Sequence, residues 1–200
     1  MKKALIVVDI QNDFCEKGPL AVPEAESIIP VVNDLMKNGN YDLIVATQDW
    51  HPKNHNSFAS NNNKKIGEFI DLNGTNQIMW PDHCIQHSTG ALFHKDLDSH
   101  LFHEVVKKGK NPEIDSYSGF WDNERKNQTE LFHILKAYQI QEIHVVGLAL
   151  DYCVKATALD SVELGFDTTL IYNATKAVNL NKDDYKKAIK ELLLKNVKVV

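Results

Sequence analysis

An α/β fold with a central, mostly parallel sheet covered by helices on both faces is what this sequence predicts, and three observations carry that prediction. The strand-like segments are continuous apolar runs rich in Val and Ile, the pattern of strands buried on both faces. Stripes of apolar residues at helical spacing lie between them. Strand and helix alternate along the chain rather than segregating into halves, and no internal repeat is visible.

The elements follow in order. Run 4–9 is the first strand and ends in a carboxylate, Asp9. Ile28, Val32, Leu35 and Met36 form a helical stripe, with Gly39 where a C-terminal cap would stand. Run 43–47 is a second strand and leads into Gln48-Asp49. The interval 50–92 has weak periodicity, and Asn61-Asn62-Asn63-Lys64-Lys65 within it reads as a polar turn. A loop of that length inside a compact domain is usually functional. Residues 103–107 form a weaker strand candidate. Asn127 with Glu130 resembles a capping box ahead of Leu131, Ile134, Leu135 and Tyr138. Run 143–147 is a strand, followed by the Val154, Ala158, Val162 stripe and Gly165. Run 168–172 is another strand. Asn181 and Asp183 open a last helix with Tyr185, Ile189, Leu192 and Leu193, and 197–200 is a final short strand.

Composition narrows the classes. At 200 residues the chain is expected to form one domain, 1–200, long enough to bury a sizeable core. Lys and Arg number 22 against 27 Asp and Glu, a net charge of −5, which gives no general drive toward nucleic acid or an anionic membrane. No apolar run approaches the roughly 18 residues of a membrane span. Lys2-Lys3 and the run 4–8 look like the opening of a signal peptide, but Asp9 ends that run too early. A cytoplasmic protein is expected. The three cysteines, Cys15, Cys84 and Cys153, are too few and scattered for a disulfide framework.

Reactive side chains collect at the carboxyl ends of the strands, where open α/β sheets place their sites. Cys153 falls at a strand-to-helix turn, where free amides and the helix dipole favour a thiolate and could hold an oxyanion. The competing reading is a small buried cysteine. In Asp49-Trp50-His51-Pro52-Lys53-Asn54-His55, period two places Asp49 and His51 on one side. One carboxylate with two or three imidazoles suits zinc, manganese or iron, and His83 in Trp80-Pro81-Asp82-His83-Cys84 could add a ligand. Taken singly, these are equally solvated loop histidines. His87, His94, His100, His103, His133 and His144 do not cluster and read as structural or surface residues. Asp9 is either a paired group or a polar strand cap. Lys108, in Lys107-Lys108-Gly109-Lys110, reads alone as part of a solvated face.

Together these segments resemble the bacterial nicotinamidase (pyrazinamidase) family of isochorismatase-like cysteine hydrolases. The resemblance rests on Val7-Val8-Asp9-Ile10-Gln11-Asn12-Asp13-Phe14, Thr47-Gln48-Asp49-Trp50-His51-Pro52, Trp80-Pro81-Asp82-His83-Cys84, Lys108-Gly109 with Asp115-Ser116-Tyr117-Ser118-Gly119-Phe120, and Gly147-Leu148-Ala149-Leu150-Asp151-Tyr152-Cys153-Val154. It implies a three-layer α/β/α fold and hydrolysis of nicotinamide to nicotinate and ammonia in NAD salvage, with pyrazinamide as a further substrate. The implied catalytic triad is Asp9, Lys108 and Cys153, and the implied oxyanion donors are the N–H groups of Ala149 and Cys153, with a non-proline cis peptide before Ala149. The implied ligands of one divalent ion are Asp49, His51 and His83. The ion is zinc first, with iron or manganese as alternatives. His55 holds a position that adds a ligand in some members, with water completing the shell in others. Phe14, Trp80 and Tyr117 match the pocket walls. His87 stands where many relatives carry an uncharged amide. The partner is thus a small molecule, with no nucleic acid or membrane, and a homo-oligomer is compatible with the sequence. A related amidohydrolase for ureido compounds, an isochorismatase-type enzyme and a binding module without turnover are the competing functions. The metal cluster argues against the first two and the intact triad against the third.

Overall fold

The first strand, β1 (Lys3–Val8), shows why the sheet is buried on both sides. Ala4, Ile6 and Val8 enter the core on one face, and Leu5 and Val7 enter a second core on the other. The computed structural model describes residues 1–72 and 74–200. After β1 come α1 (Ile29–Asn38), β2 (Leu43–Asp49), β3 (Phe69–Leu72), β4 (Thr75–Ile78), β5 (Glu104–Lys108), α2 (Leu131–Ala137), β6 (Glu142–Leu148), α3 (Lys155–Glu163), β7 (Asp167–Lys176), α4 (Asp184–Leu194) and β8 (Lys198–Val199).

Six strands form one sheet in the order β5-β2-β1-β6-β7-β8, and every neighbouring pair is parallel. Helix α1 covers one face through Ile29, Val32 and Met36. Helices α2, α3 and α4 cover the other through Leu131, Leu135, Ala158 and Leu192. The expected three-layer α/β/α arrangement is therefore the observed one. The chain winds outward from β1 through β2 to β5, and in the opposite direction from β6 through β7 to β8. The order reverses between β1 and β6, so a crevice opens at their carboxyl ends. Among the described residues, no helix is long and apolar enough to cross a membrane.

Several elements depart from the sequence-based expectation. The interval 50–92 holds an antiparallel two-stranded ribbon, β3–β4, apart from the main sheet. Strand β7 runs on to Lys176 and slips register against β6 between Val145 and Gly147. The Asn127–Glu130 capping box does not form. Asn127 gives both its backbone and side-chain N–H groups to Asp122 Oδ2, and the first residue of α2, Leu131, donates instead to Thr129 Oγ1 at 3.1 Å. A nearby carboxylate has outcompeted the cap. Residues Leu150–Val154 form a π-turn between β6 and α3, so Cys153 sits inside that turn.

Gly147 is required at the crevice. Its φ is +111°, and a Cβ there would lie 2.1 Å from the Val8 carbonyl oxygen on β1. Backbone strain and overpacking act together, and the obstacle is a main-chain atom that cannot swing aside. Gly147→Ala is expected to destabilise the fold by about 2–4 kcal/mol, read as a lower urea midpoint; a midpoint equal to the parent's would contradict this account of the β1–β6 contact.

Candidate active site

Strand register builds the site. Asp49 and Lys108 are paired residues at the carboxyl ends of β2 and β5. Asp9 directly follows β1, and its N–H donates to Thr47 O on β2 at 3.3 Å. Its φ is +48°, in the left-handed region that Asp tolerates better than most residues. Thr47 Oγ1 donates to Asp9 Oδ1 at 2.6 Å. Three neighbouring strands thus deliver two carboxylates and an ammonium group to one point.

Lys108 is buried, not solvated, and this reverses what its lysine-rich run predicts on its own. Its Nζ donates to Asp49 Oδ1 and to Ser116 O, the latter at 2.9 Å. It lies 2.8 Å from Asp9 Oδ2 and 3.4 Å from Cys153 Sγ. The contact with Asp9 Oδ2 is a buried ion pair. The thiol of Cys153 stands against the same Asp9 carboxylate.

Burial dominates the titration of this group. It pushes the Asp9 carboxyl up to about 6, against the pull of Lys108 and with the help of Asp49. Burial also penalises ionised Asp49, but Lys108, His51 and His83 outweigh it and hold that carboxyl below its ordinary range. Lys108 is raised, because Asp49 and Asp9 overcome its own desolvation. Cys153 is pushed well above an ordinary thiol by burial, Asp9 and Asp49, against which Lys108 is insufficient. Burial thus works against the thiolate that a helix N-terminus favours. Two buried carboxylates oppose it as well, and Cys153 lies in the π-turn that precedes α3.

Next to this group lies the histidine cluster. Ligand atoms of Asp49, His51 and His83 lie within 4.8 Å of one another, and Asp49 Oδ2 is 3.6 Å from His51 Nε2 and 3.9 Å from His83 Nε2. His51 Nδ1 bonds Gly109 O at 3.0 Å, and His83 Nδ1 bonds Pro81 O at 2.7 Å. A carbonyl only accepts, so each ring carries a proton on Nδ1 and turns Nε2 toward Asp49, whose carboxylate raises the His51 ring above its ordinary value against the effect of burial. Gly109, at φ +67°, makes room for His51, since a Cβ would lie 2.3 Å from His51 Cε1. Burial lowers His83 to about 4, leaving a neutral ring suited to a metal.

His55 differs. Its ring centroid is 4.5 Å from that of His51, and burial lowers it to about 4. Its Nδ1, however, accepts the Ser57 N–H at 3.1 Å, which places the neutral ring's proton on Nε2. That Nε2 is buried and has no hydrogen-bond partner. His55 groups with His51 and Asp115 rather than with Asp49 and His83. The donor set of Asp49, His51 and His83, one carboxylate with two imidazoles beside it, fits a divalent cation. His87 packs edge-on against Trp50, with ring centroids 5.2 Å apart.

Phe14, Trp80 and Tyr117 line one cavity with Cys153, Asp49 and His83. Tyr152, Asp115 and Ala149 line it too. The Leu148–Ala149 peptide is cis. Ala149 N–H has no acceptor among the described residues. Sequence reading did not single out Tyr152, Asp115 or Gln11, although all three lie inside the quoted motifs. Gln11 fixes the backbone of Asp49 by accepting its N–H at 2.8 Å and donating to its carbonyl at 2.9 Å.

An isochorismatase domain model matches residues 3–200. The chain belongs to the isochorismatase family. Within that family it lies among the nicotinamidases and pyrazinamidases. It is 43% identical to the nicotinamidase of Escherichia coli (strain K12) over 192 residues, 95% of this chain and 90% of that protein. An Acinetobacter baumanii nicotinamidase pyrazinamidase structure superposes with a TM-score of 0.95 at 42% identity, covering 100% of this chain and 95% of that one. A Pyrococcus horikoshii pyrazinamidase structure in complex with zinc gives 0.81 at 36% identity, covering 100% and 99%.

Removing the Lys108 ammonium would leave Asp9 and Asp49 buried against each other. Lys108→Met is expected to cost about 3–5 kcal/mol of stability at neutral pH, measured by urea unfolding; a loss under about 1 kcal/mol would mean that the carboxylates do not depend on it.

Proposed function

We propose that this chain is a nicotinamidase, an amidohydrolase that converts nicotinamide to nicotinate and ammonia in NAD salvage and also accepts pyrazinamide. The observation that carries the reading is the contact of one buried lysine with Cys153 and two carboxylates, beside a cavity walled by Phe14, Trp80 and Tyr117. The whole chain, 1–200, acts as a single catalytic domain. Its three free cysteines suit the reducing cytoplasm.

An amide is a poor electrophile with a poor leaving group, so a covalent route divides one hard step into two. Flat aromatic walls hold the pyridine ring and leave its carboxamide beside Cys153. Asp9 takes the thiol proton as the sulfur attacks the carboxamide carbon. The oxyanion that forms is held by the N–H groups of Ala149 and Cys153. Collapse breaks the C–N bond, and Asp9 returns its proton to the departing ammonia. Asp9 then takes a proton from water, whose oxygen attacks the thioester; nicotinate leaves and the thiol reforms. Lys108 favours the ionised form of Asp9, the form that accepts a proton in each half of the reaction.

Asp49, His51 and His83 would hold a divalent ion, zinc first by analogy with the Pyrococcus horikoshii relative and by the chemistry of its donors, which also admits iron or manganese. When bound, the ion supplies a positive centre for the pyridine nitrogen and so orients the ring. His55 stands beside this set, its ring centroid 4.5 Å from that of His51.

Cys153→Ala is expected to release ammonia from nicotinamide at less than about one thousandth of the parent rate. Activity within tenfold of the parent would sink the covalent route. Metal analysis of the purified chain should find one divalent ion per molecule, lost in His83→Ala. Turnover should disappear on chelation and return on add-back, and turnover unchanged after verified removal would rule out an essential ion.

A further inference from the structure

Gln77 lies on β4 of the ribbon, away from the triad and from the histidine cluster, and only 3% of it is exposed. Its side-chain amide is a junction. Nε2 is 2.8 Å from Ile78 O, 3.2 Å from Asp115 Oδ2 and 3.3 Å from Tyr117 Oη. Trp80 Nε1 donates to the same Tyr117 oxygen at 3.1 Å. Asp115 and Tyr117 both line the cavity that holds Cys153, as does Trp80.

The donor count gives this junction direction. An amide nitrogen and an indole nitrogen can only donate, so Tyr117 Oη is the acceptor in both contacts; the Gln77 amide has two protons, one for Ile78 O and one shared between Asp115 Oδ2 and Tyr117 Oη. Its lone pairs are engaged, and its own proton is left to point elsewhere. Asp115 Oδ1 already accepts the Ser116 N–H at 2.8 Å, while Oδ2 receives only the Gln77 amide. One side chain therefore fixes the phenol on the aromatic wall and the carboxylate on the polar side of the same cavity. Nothing in the main sheet supplies that tie, because Asp115 and Tyr117 lie on the segment that follows β5.

We propose that Gln77 is a positioning residue for the substrate, acting through Tyr117 and Asp115 to set the width and polarity of the slot that receives the ring. This rests on the amidohydrolase reading of the site. Gln77 does not touch the reacting atoms, so its loss removes binding shared by ground state and transition state. That raises KM and leaves kcat in place.

The test is steady-state kinetics of ammonia release from nicotinamide for the full chain and for Gln77→Met, Gln77→Glu and Tyr117→Phe, with the double variant Gln77→Met/Tyr117→Phe. Gln77→Met keeps the length and loses the donors. Gln77→Glu keeps the shape but sets a carboxyl group against Asp115, which removes the two-proton amide by a second route and so remains informative if the Met variant folds poorly. Both are expected to raise KM about tenfold, the worth of one hydrogen bond, with kcat within about twofold. The double variant should be less impaired than the product of the single effects, because both changes break the same tie. KM within twofold of the parent in either Gln77 variant overturns the proposal. A fall in kcat at constant KM overturns it as well, and so does strict multiplicativity in the double variant. A parent chain that releases no ammonia from nicotinamide would instead refute the amidohydrolase reading beneath it.

Discussion

Everything at this site depends on one buried ammonium group. Lys108 ends an edge strand, where a long charged side chain would ordinarily reach solvent. It turns inward instead, because β2 lies beside β5 with Asp49 paired to Lys108, and β1, on the far side of β2, leads into Asp9 one residue lower in the register. A buried lysine without partners would lose its charge, and two buried carboxylates without a cation would gain protons. Each of these groups keeps its charge through the others. The sheet order is therefore part of the chemistry: separating β1 from β2, or β2 from β5, would leave the carboxylates with no common counter-ion.

The same accounting reaches the histidine cluster. In formal charge, Asp9, Asp49 and Asp115 bring three negatives to the buried site, and Lys108 brings one positive. The two negatives left over are matched by a divalent cation, and neutral imidazoles can ligate it without adding charge. Asp49 belongs to both systems, with Oδ1 toward Lys108 and Oδ2 toward His51 and His83. Gln11 holds that shared residue from both sides of its backbone, which keeps its two oxygens aimed at different partners.

The layers and the strand ends were legible in the sequence, because apolar runs and stripes report burial directly. β1, β2, β6 and α1 were placed to within a residue or two. Lys108 was not legible from its own neighbours, since a run of lysines says nothing about which one turns inward. Only its place in a family pattern distinguished it. The capping box near Asn127 misled because Asp122, a few residues upstream, competes for the same donors. Gln77 was invisible for a different reason. Its partners lie far along the chain, at Asp115 and Tyr117, and a lone glutamine in a weakly periodic stretch carries no pattern.

The resting state of Cys153 follows from the same electrostatics. A thiolate there would add a negative charge beside Asp9 and Asp49, and Lys108 is already shared between those two. These surroundings favour the protonated thiol. Burial that opposes the thiolate also raises Asp9 to about 6, which makes it a stronger base than a solvated carboxylate. In the proposed attack, Asp9 gives up its negative charge as it takes the thiol proton, and that charge collects on the carboxamide oxygen, where the unpaired Ala149 N–H offers a donor. An environment that penalises charge on both Asp9 and Cys153 thus favours, in that proposed step, its transfer to the substrate.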